Sequence, residues 1–301
     1  MTQNLGKRMW KGRWGYFFIL PALIPFLIFT VYPLVHGIWL SFLNAGVNRD
    51  RWRFIGLDNY IRLFTKDQAF LIGIKNTFLF VFAVVPTAMI ITLFIAVIIY
   101  PLSQKTQTFF RVAFYMPVVS SGVILAMVWN VIFSREFGLL NGTLEALGIF
   151  NLFNIEKIGW LAQTETALLS LSIVIISWSL GQPLILFLAG LASIPTELYE
   201  AARLDGATGW QQFIGITLPL LRPTVLFVLV TLTIAVFQVF VVVLLMTLGG
   251  PANATQTIVF RLYESAFRFF KFGYASAMAV VLMIIIGTIS AFQFFVLDRD
   301  T

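Results

Sequence analysis

Charged residues are absent from six long stretches of this sequence. Each stretch runs for at least 23 residues without Asp, Glu, Lys or Arg. A helix needs about 20 apolar residues to cross the hydrocarbon core of a bilayer, so each stretch can hold one membrane-spanning helix. The six stretches are 14–48, 76–104, 112–134, 166–196, 223–260 and 272–297.

The composition agrees with a membrane protein and excludes several other classes. The chain is 59% hydrophobic and only 11% charged, whereas soluble domains are about 25% charged. This difference excludes a soluble enzyme and a disordered chain. The chain has no cysteine and a single histidine, His36, which excludes disulfides, thiol nucleophiles and a histidine metal cluster. The net charge is +7. In a membrane protein we expect the basic residues to set the topology and to contact anionic lipid rather than to bind nucleic acid.

Helix breakers divide the two longest charge-free stretches. The first contains Pro21, Pro25 and Pro33, and the fifth contains Gly249-Gly250-Pro251, a run that ends a helix. Apolar and polar residues do not alternate as they do in the strands of a membrane barrel. The sequence therefore predicts an all-α integral membrane protein with six transmembrane helices, near 15–42, 76–100, 110–133, 167–190, 223–247 and 274–296.

Six spans place both termini on the same side of the membrane. Four basic residues precede the first span, which favours a cytoplasmic N-terminus. The count of basic residues over the whole chain does little to decide the orientation, because nine of them would then lie inside and eleven outside. We expect an N-terminal cytoplasmic segment 1–14, a transmembrane domain 15–297 and a cytoplasmic tail 298–301.

The loop between the fourth and fifth spans, 195–220, has features of a defined element. Pro195 and Thr196 begin a helix, and Gly206 ends it as a C-terminal glycine does. A second short helix near 210–217 follows. The Ala201-Ala202 pair makes one side of the first helix small enough for another protein to approach its backbone. Taken alone, this pair also fits an ordinary amphipathic loop helix.

The pattern of this loop resembles the EAA loop of ABC-importer permeases. Glu200-Ala201-Ala202-x-x-Asp205-Gly206 is followed, after nine residues, by Ile216-x-Leu218-Pro219. Other segments resemble the carbohydrate-uptake permeases, the family of the larger maltose-transporter permease, from about residue 15 to 297. These segments are Gly56-Leu57-Asp58-Asn59-Tyr60, Ala189-Gly190-Leu191-x-x-Ile194-Pro195, Phe237-Gln238-x-Phe240 and Thr247-x-Gly249-Gly250-Pro251.

The resemblance implies a type I ABC importer permease fold and a set of partners. Importers of this kind combine two permeases, two ATPase subunits and an extracytoplasmic solute-binding protein in the bacterial cytoplasmic membrane. The EAA helix docks into an ATPase on the cytoplasmic side, which implies that both termini are cytoplasmic. This chain has no P-loop sequence, so ATP and Mg²⁺ would be bound by the ATPase subunits and the chain would not itself be an enzyme. The coupling residues implied are Glu200, Ala201, Ala202, Arg203, Asp205 and Gly206.

Polar and aromatic residues inside the spans are the candidates for the substrate pathway. Sugars are held by hydrogen-bonding groups and aromatic faces and need no buried charge. Each candidate also has a structural explanation: serine can bond its own helix, tryptophan can lie at the membrane interface, and glutamine can join helices. One departure is Val241, where the family often has an acid. The candidates are Gln182, Gln238, Trp178, Ser179, Phe237, Phe240, Ser121 and Trp129.

Three alternative functions remain to be weighed. A permease for a glycerol phosphate ester or a polyol would share the fold, but a phosphate ester favours Arg or Lys in the cavity, and the six charge-free stretches contain none. A secondary transporter usually has an intramembrane carboxylate or broken helices for its coupling ion, and no span here contains an acid. An intramembrane enzyme would need a catalytic constellation, which these spans lack.

Overall fold

The computed structural model describes residues 13–153 and 155–297, which are almost entirely helical. We number the helices in chain order. They are α1 (Arg13–Phe26), α2 (Tyr32–Ser41), α3 (Asp58–Thr65), α4 (Gln68–Ile99), α5 (Gln104–Val119), α6 (Gly122–Ile132), α7 (Leu139–Ala146), α8 (Ile149–Phe153), α9 (Thr164–Ser179), α10 (Gly181–Ala192), α11 (Thr196–Leu204), α12 (Gly209–Gln212), α13 (Leu218–Leu220), α14 (Arg222–Phe237), α15 (Val241–Met246), α16 (Ile258–Tyr263) and α17 (Phe272–Leu297).

Within the described residues, four helices are long and apolar enough to cross a membrane. Two further helix pairs meet this criterion together but are bent, by 98° between α5 and α6 and by 44° between α9 and α10. The predicted all-helical membrane fold is confirmed, and the predicted count of six is reached when each bent pair is one span. The four long helices are Phe18–Ser41, Gln68–Ile99, Arg222–Met246 and Phe272–Val296.

The bends and one helix start differ from the sequence-based expectation. The α5–α6 bend follows Pro117, and α6 begins anew where the Ser121 hydroxyl accepts a hydrogen bond from the Val123 amide. The distribution of charged residues predicts that the second span begins at residue 76, yet α4 begins at Gln68. Lys75 does not end the helix, because a helix can extend beyond the hydrocarbon core into water.

The described residues form two compact units. One comprises residues up to 63 together with 262–281. In it, the buried Asn59 amide donates to the carbonyls of Ser41 and Leu43, at 2.8 and 3.0 Å. The Tyr60 and Ser41 hydroxyls lie 2.6 Å apart. These bonds hold α3 against the end of α2 and give the Gly56–Tyr60 run a structural role.

The other unit comprises residues 64–261 together with those from 282 onward. Helix α4 lies at its centre and packs against α9, α10 and α14. Phe80, Ala88, Leu171, Leu184 and Val228 are fully buried there. Small residues such as Ala88 allow close approach between helix backbones, which is how helices associate in lipid.

The segment after Gly249-Gly250-Pro251 is fixed to the first turns of α4. The Asn76 amide donates to the carbonyls of Asn253 and Gln256, at 2.9 and 3.1 Å. The Ile258 amide donates to the Thr77 hydroxyl at 3.2 Å. These polar groups are buried, so each bond satisfies a group that would otherwise be costly to remove from water.

Candidate functional site

The loop predicted to couple the chain to a partner folds as two short helices joined by a tight turn. Helix α11 ends at Leu204, and Gly206 has a φ of +79°. The Gly206 and Ala207 amides donate to the carbonyls of Arg203 and Ala202, at 3.1 and 2.9 Å. This pair of bonds is a Schellman cap, which glycine favours because its left-handed conformation has no side-chain penalty.

The second helix of the loop is capped and bonded to the first. Thr208 and Gln211 form a reciprocal capping box at the start of α12. The Tyr199 hydroxyl on α11 lies 2.9 Å from the hydroxyl of Thr217, which is 5% exposed. Because caps and a cross-link satisfy its ends, the loop presents a fixed surface rather than a flexible one.

The predicted coupling residues all lie on this loop, and most of them are exposed. Ala202 is half-buried, whereas the other five are exposed. Two apolar residues that the sequence did not single out are also exposed, Leu204 at 90% and Trp210 at 68%. The sequence could have indicated Leu204, because a leucine directly before a helix-ending Asp-Gly pair has no following turn of its own helix to pack against.

A cavity of about 340 Å³ lies among α5, α9, α10 and the break between α14 and α15. Helix α14 ends at Phe237 and α15 begins at Val241, so the break lies inside the span Arg222–Met246. Irregular backbone at membrane depth is tolerated where it lines a cavity. The lining residues are Val118, Ile175, Trp178, Ser179, Gln182, Leu232, Ala235, Val236, Gln238, Val239, Phe240, Val241 and Val242, and none of them is charged.

Five of the predicted pathway residues line this cavity: Trp178, Ser179, Gln182, Gln238 and Phe240. Both glutamines are exposed, so their amides can bond a solute. Ser179 instead donates to the carbonyl of Ile175 on its own helix at 2.7 Å. The cavity therefore offers two amides, one indole and apolar walls.

The other three predicted pathway residues lie outside the cavity lining. Phe237 is fully buried and packs edge-on against Phe78, with ring centroids 5.4 Å apart. Ser121 caps α6. Trp129 packs against Phe133 at 5.1 Å. Apolar helices lack a polar side, so their sequence does not show which residues face inward.

Two glycines allow the cavity walls to approach closely. A Cβ at Gly122 would lie 2.8 Å from Cη2 of Trp178, and one at Gly181 would lie 2.5 Å from the carbonyl oxygen of Phe114. The indole of Trp178 is thus seated on the bend between α5 and α6, and the start of α10 is seated on α5. Side chains larger than hydrogen at these positions would displace both walls.

The family model for the binding-protein-dependent transport system inner membrane component matches residues 8–301. The chain belongs to this family. It is a permease subunit of an ABC importer and not an enzyme, and the resemblance found in the sequence is confirmed.

Similar proteins cover nearly the whole chain. A probable ABC transporter permease protein of Bacillus subtilis, YesP, is 38% identical over 98% of this chain and 96% of its own. The lactose transport system permease protein LacF of Rhizobium radiobacter is 33% identical over 93% of each chain. A chain from a bacterial ABC transporter involved in the import of the acidic polysaccharide alginate matches with a TM-score of 0.83, at 25% identity and with 99% and 100% of the two chains covered.

Proposed function

We propose that this permease carries a neutral sugar or oligosaccharide across the bacterial cytoplasmic membrane. The observation that carries the proposal is the uncharged cavity, in which Gln182, Gln238 and Trp178 supply hydrogen bonds and an aromatic face. Such groups suit a hydroxyl-rich neutral solute. The names of LacF, a lactose permease, and of MsmF, a multiple sugar-binding transport system permease of Streptococcus mutans, support the same class.

The absence of charge in the lining separates this solute class from two others. A polyanion such as alginate, which the similar transporter of known structure imports, would gain from a cationic lining, as would a phosphate ester. Neither Arg nor Lys lines the described cavity. A neutral glycan meets no such requirement.

The proposed partners are a second permease, two ATPase subunits and an extracytoplasmic binding protein. The family description itself names a binding-protein-dependent system. A similar transporter has been solved with a pentasaccharide-bound periplasmic protein. ATP and Mg²⁺ would be bound by the ATPase subunits.

Energy coupling is assigned to the 195–220 loop. Its rigid, exposed two-helix surface supports docking in an ATPase cleft, and in that arrangement this loop and both termini would be cytoplasmic. In this assignment residues 15–297 form the permease domain, with 1–14 and 298–301 in the cytoplasm.

Uptake by the assembled importer tests the proposal. The chain is co-expressed with the transport genes adjacent to its own and reconstituted in liposomes containing ATP. A panel of labelled neutral oligosaccharides, uronic-acid oligosaccharides and glycerol phosphate is then supplied with the binding protein. Uptake confined to neutral glycans supports the proposal, and uptake confined to either anionic solute overturns it.

A further inference from the structure

The loop between α6 and α9 holds apolar side chains outside the folded core. Six of them are exposed: Phe137 at 91%, Leu152 at 77%, Leu147 at 69%, Leu139 at 68%, Phe153 at 66% and Ile155 at 46%. We call this set the apolar loop face. Single exposed apolar residues are ordinary, but six within the loop 133–163 indicate a surface that contacts something other than water.

This loop is folded, so the exposure follows from its structure. Asn141, at 1% exposure, donates to the carbonyls of Arg135 and Ile158, at 3.0 and 2.9 Å. Its Oδ1 accepts from the indole nitrogen of Trp160 at 3.0 Å. Phe150 of α8 is also buried. A buried amide hub thus fixes one side of the loop and leaves the apolar loop face turned outward.

We propose that the apolar loop face lies in the interfacial region of the bilayer and anchors this end of the molecule to lipid. The first support is continuity with α6. That helix belongs to a pair apolar enough to cross a membrane, and its Ile124, Met127 and Val131 are exposed at 57%, 61% and 66%. Phe137 and Leu139 follow directly and extend the same kind of surface.

The aromatic residues at the two ends of the loop fit a position in the interfacial region of the bilayer. The Phe133 ring lies between those of Trp129 and Trp160 in tilted contacts, with centroid distances of 5.1 and 6.0 Å. Tryptophan is enriched where a membrane protein crosses from hydrocarbon to water. The loop begins and ends beside this cluster, which places it at that boundary.

The nearby charges favour lipid over a water-soluble partner. Arg135 pairs with Glu156 at 3.1 Å, and Lys157 pairs with Glu145 at 3.0 Å. Interfaces with soluble proteins rely on charge complementarity for recognition. These four groups neutralise one another, which leaves the exposed Glu136 as the further charge of the loop. Short amphipathic helices with an apolar face lie in the membrane interface plane.

Site-directed spin labelling tests the proposal without a competing thiol, because the chain has no cysteine. Single cysteines replace Phe137, Leu147 or Leu152 in the full-length chain, which is labelled, assembled with the second permease and the ATPase subunits, and reconstituted with the binding protein in phosphatidylcholine–phosphatidylglycerol vesicles. Collision rates of the nitroxide with O₂, which partitions into lipid, and with a water-soluble nickel chelate are compared. We expect a severalfold higher O₂-to-nickel ratio at these positions than in aqueous loops.

Asn151 is the matched control, since it is exposed and polar and lies beside Leu152 on α8. A label at Asn151→Cys should collide mainly with the nickel chelate, as should one at Glu156→Cys. Labels on the apolar loop face that collide freely with the nickel chelate would overturn the proposal. Labels that are immobilised and shielded from both reagents would also overturn it, in favour of a protein contact.

Discussion

The Tyr199 hydroxyl lies 2.9 Å from the Thr217 hydroxyl and joins the two arms of the 195–220 loop. Tyr199→Phe removes this bond and keeps the ring. We expect a loss of about 1 kcal/mol in the stability of the loop and a fall in solute transported per ATP hydrolysed. The rate of solute uptake and the rate of ATP hydrolysis are measured in the reconstituted importer. Thr217→Val should give a similar loss. Because both substitutions remove the same hydrogen bond, the double variant should lose little more than either single variant. Losses that add up in the double variant would contradict this hydrogen bond.

The turn at Gly206 should be intolerant of any side chain, although there is space for one. Nothing lies within 4 Å of a Cβ at this position, but φ is +79°. A left-handed conformation costs an L-residue roughly 1–2 kcal/mol. Gly206→Ala should therefore shift the equilibrium away from the capped turn by about 5- to 30-fold and lower uptake, while the protein still inserts. Gly206→Pro should abolish coupling.

Gly209 provides the control for this turn. It also has nothing within 4 Å of a Cβ, and its φ is not left-handed. Gly209→Ala should leave uptake close to that of the unaltered protein. Equal effects at positions 206 and 209 would show that backbone conformation is not the cause.

Leu204 should act as an apolar contact for the ATPase. Its side chain is 90% exposed, so Leu204→Ser should not affect the stability of the permease. Loss of a buried leucine at the interface would cost about 1.5–3 kcal/mol, which is more than tenfold in affinity. Binding of the purified ATPase to permease vesicles measures this. Leu204→Met should bind normally, whereas normal binding by Leu204→Ser would remove Leu204 from the interface.

Glu200 and Glu197 are both exposed acids on α11. Glu200→Lys should uncouple ATP hydrolysis from uptake, because it reverses a charge within the docking pattern. Glu197→Lys makes the same change one turn earlier and should retain coupling. The ratio of uptake to hydrolysis in proteoliposomes distinguishes the two variants, and unchanged uptake by Glu200→Lys would contradict the assignment.

Gln182 and Gln238 should contribute to substrate affinity. Each neutral hydrogen bond contributes about 1 kcal/mol, so Gln182→Ala or Gln238→Ala should weaken solute binding in the cavity about fivefold. Binding of labelled solute to the reconstituted importer in the absence of the binding protein gives this value. Ser179→Ala serves as the comparison, because the Ser179 hydroxyl is bonded to its own helix. This variant should change uptake little.

The spans and the loop could be predicted because both follow from local rules. Charges are costly in lipid, so their absence marked the helices, and Gly206 marked the end of α11. The inward direction of Phe237 could not be predicted, because α14 is apolar on every side. The bend at Ser121 depends on how α5 and α6 pack around Trp178, which no local pattern specifies.

The bonds from Asn76 to the carbonyls of Asn253 and Gln256 join residues 177 and 180 positions apart. During synthesis, α4 therefore enters the membrane long before its polar partners exist. Its Asn76 amide can reach these acceptors only after the segment that follows the fifth span has been made, and until then it needs water as its partner, since an unpaired buried amide is costly. Completion of this fold thus depends on residues 253–256, and a chain truncated before residue 253 would leave the Asn76 amide without these two acceptors.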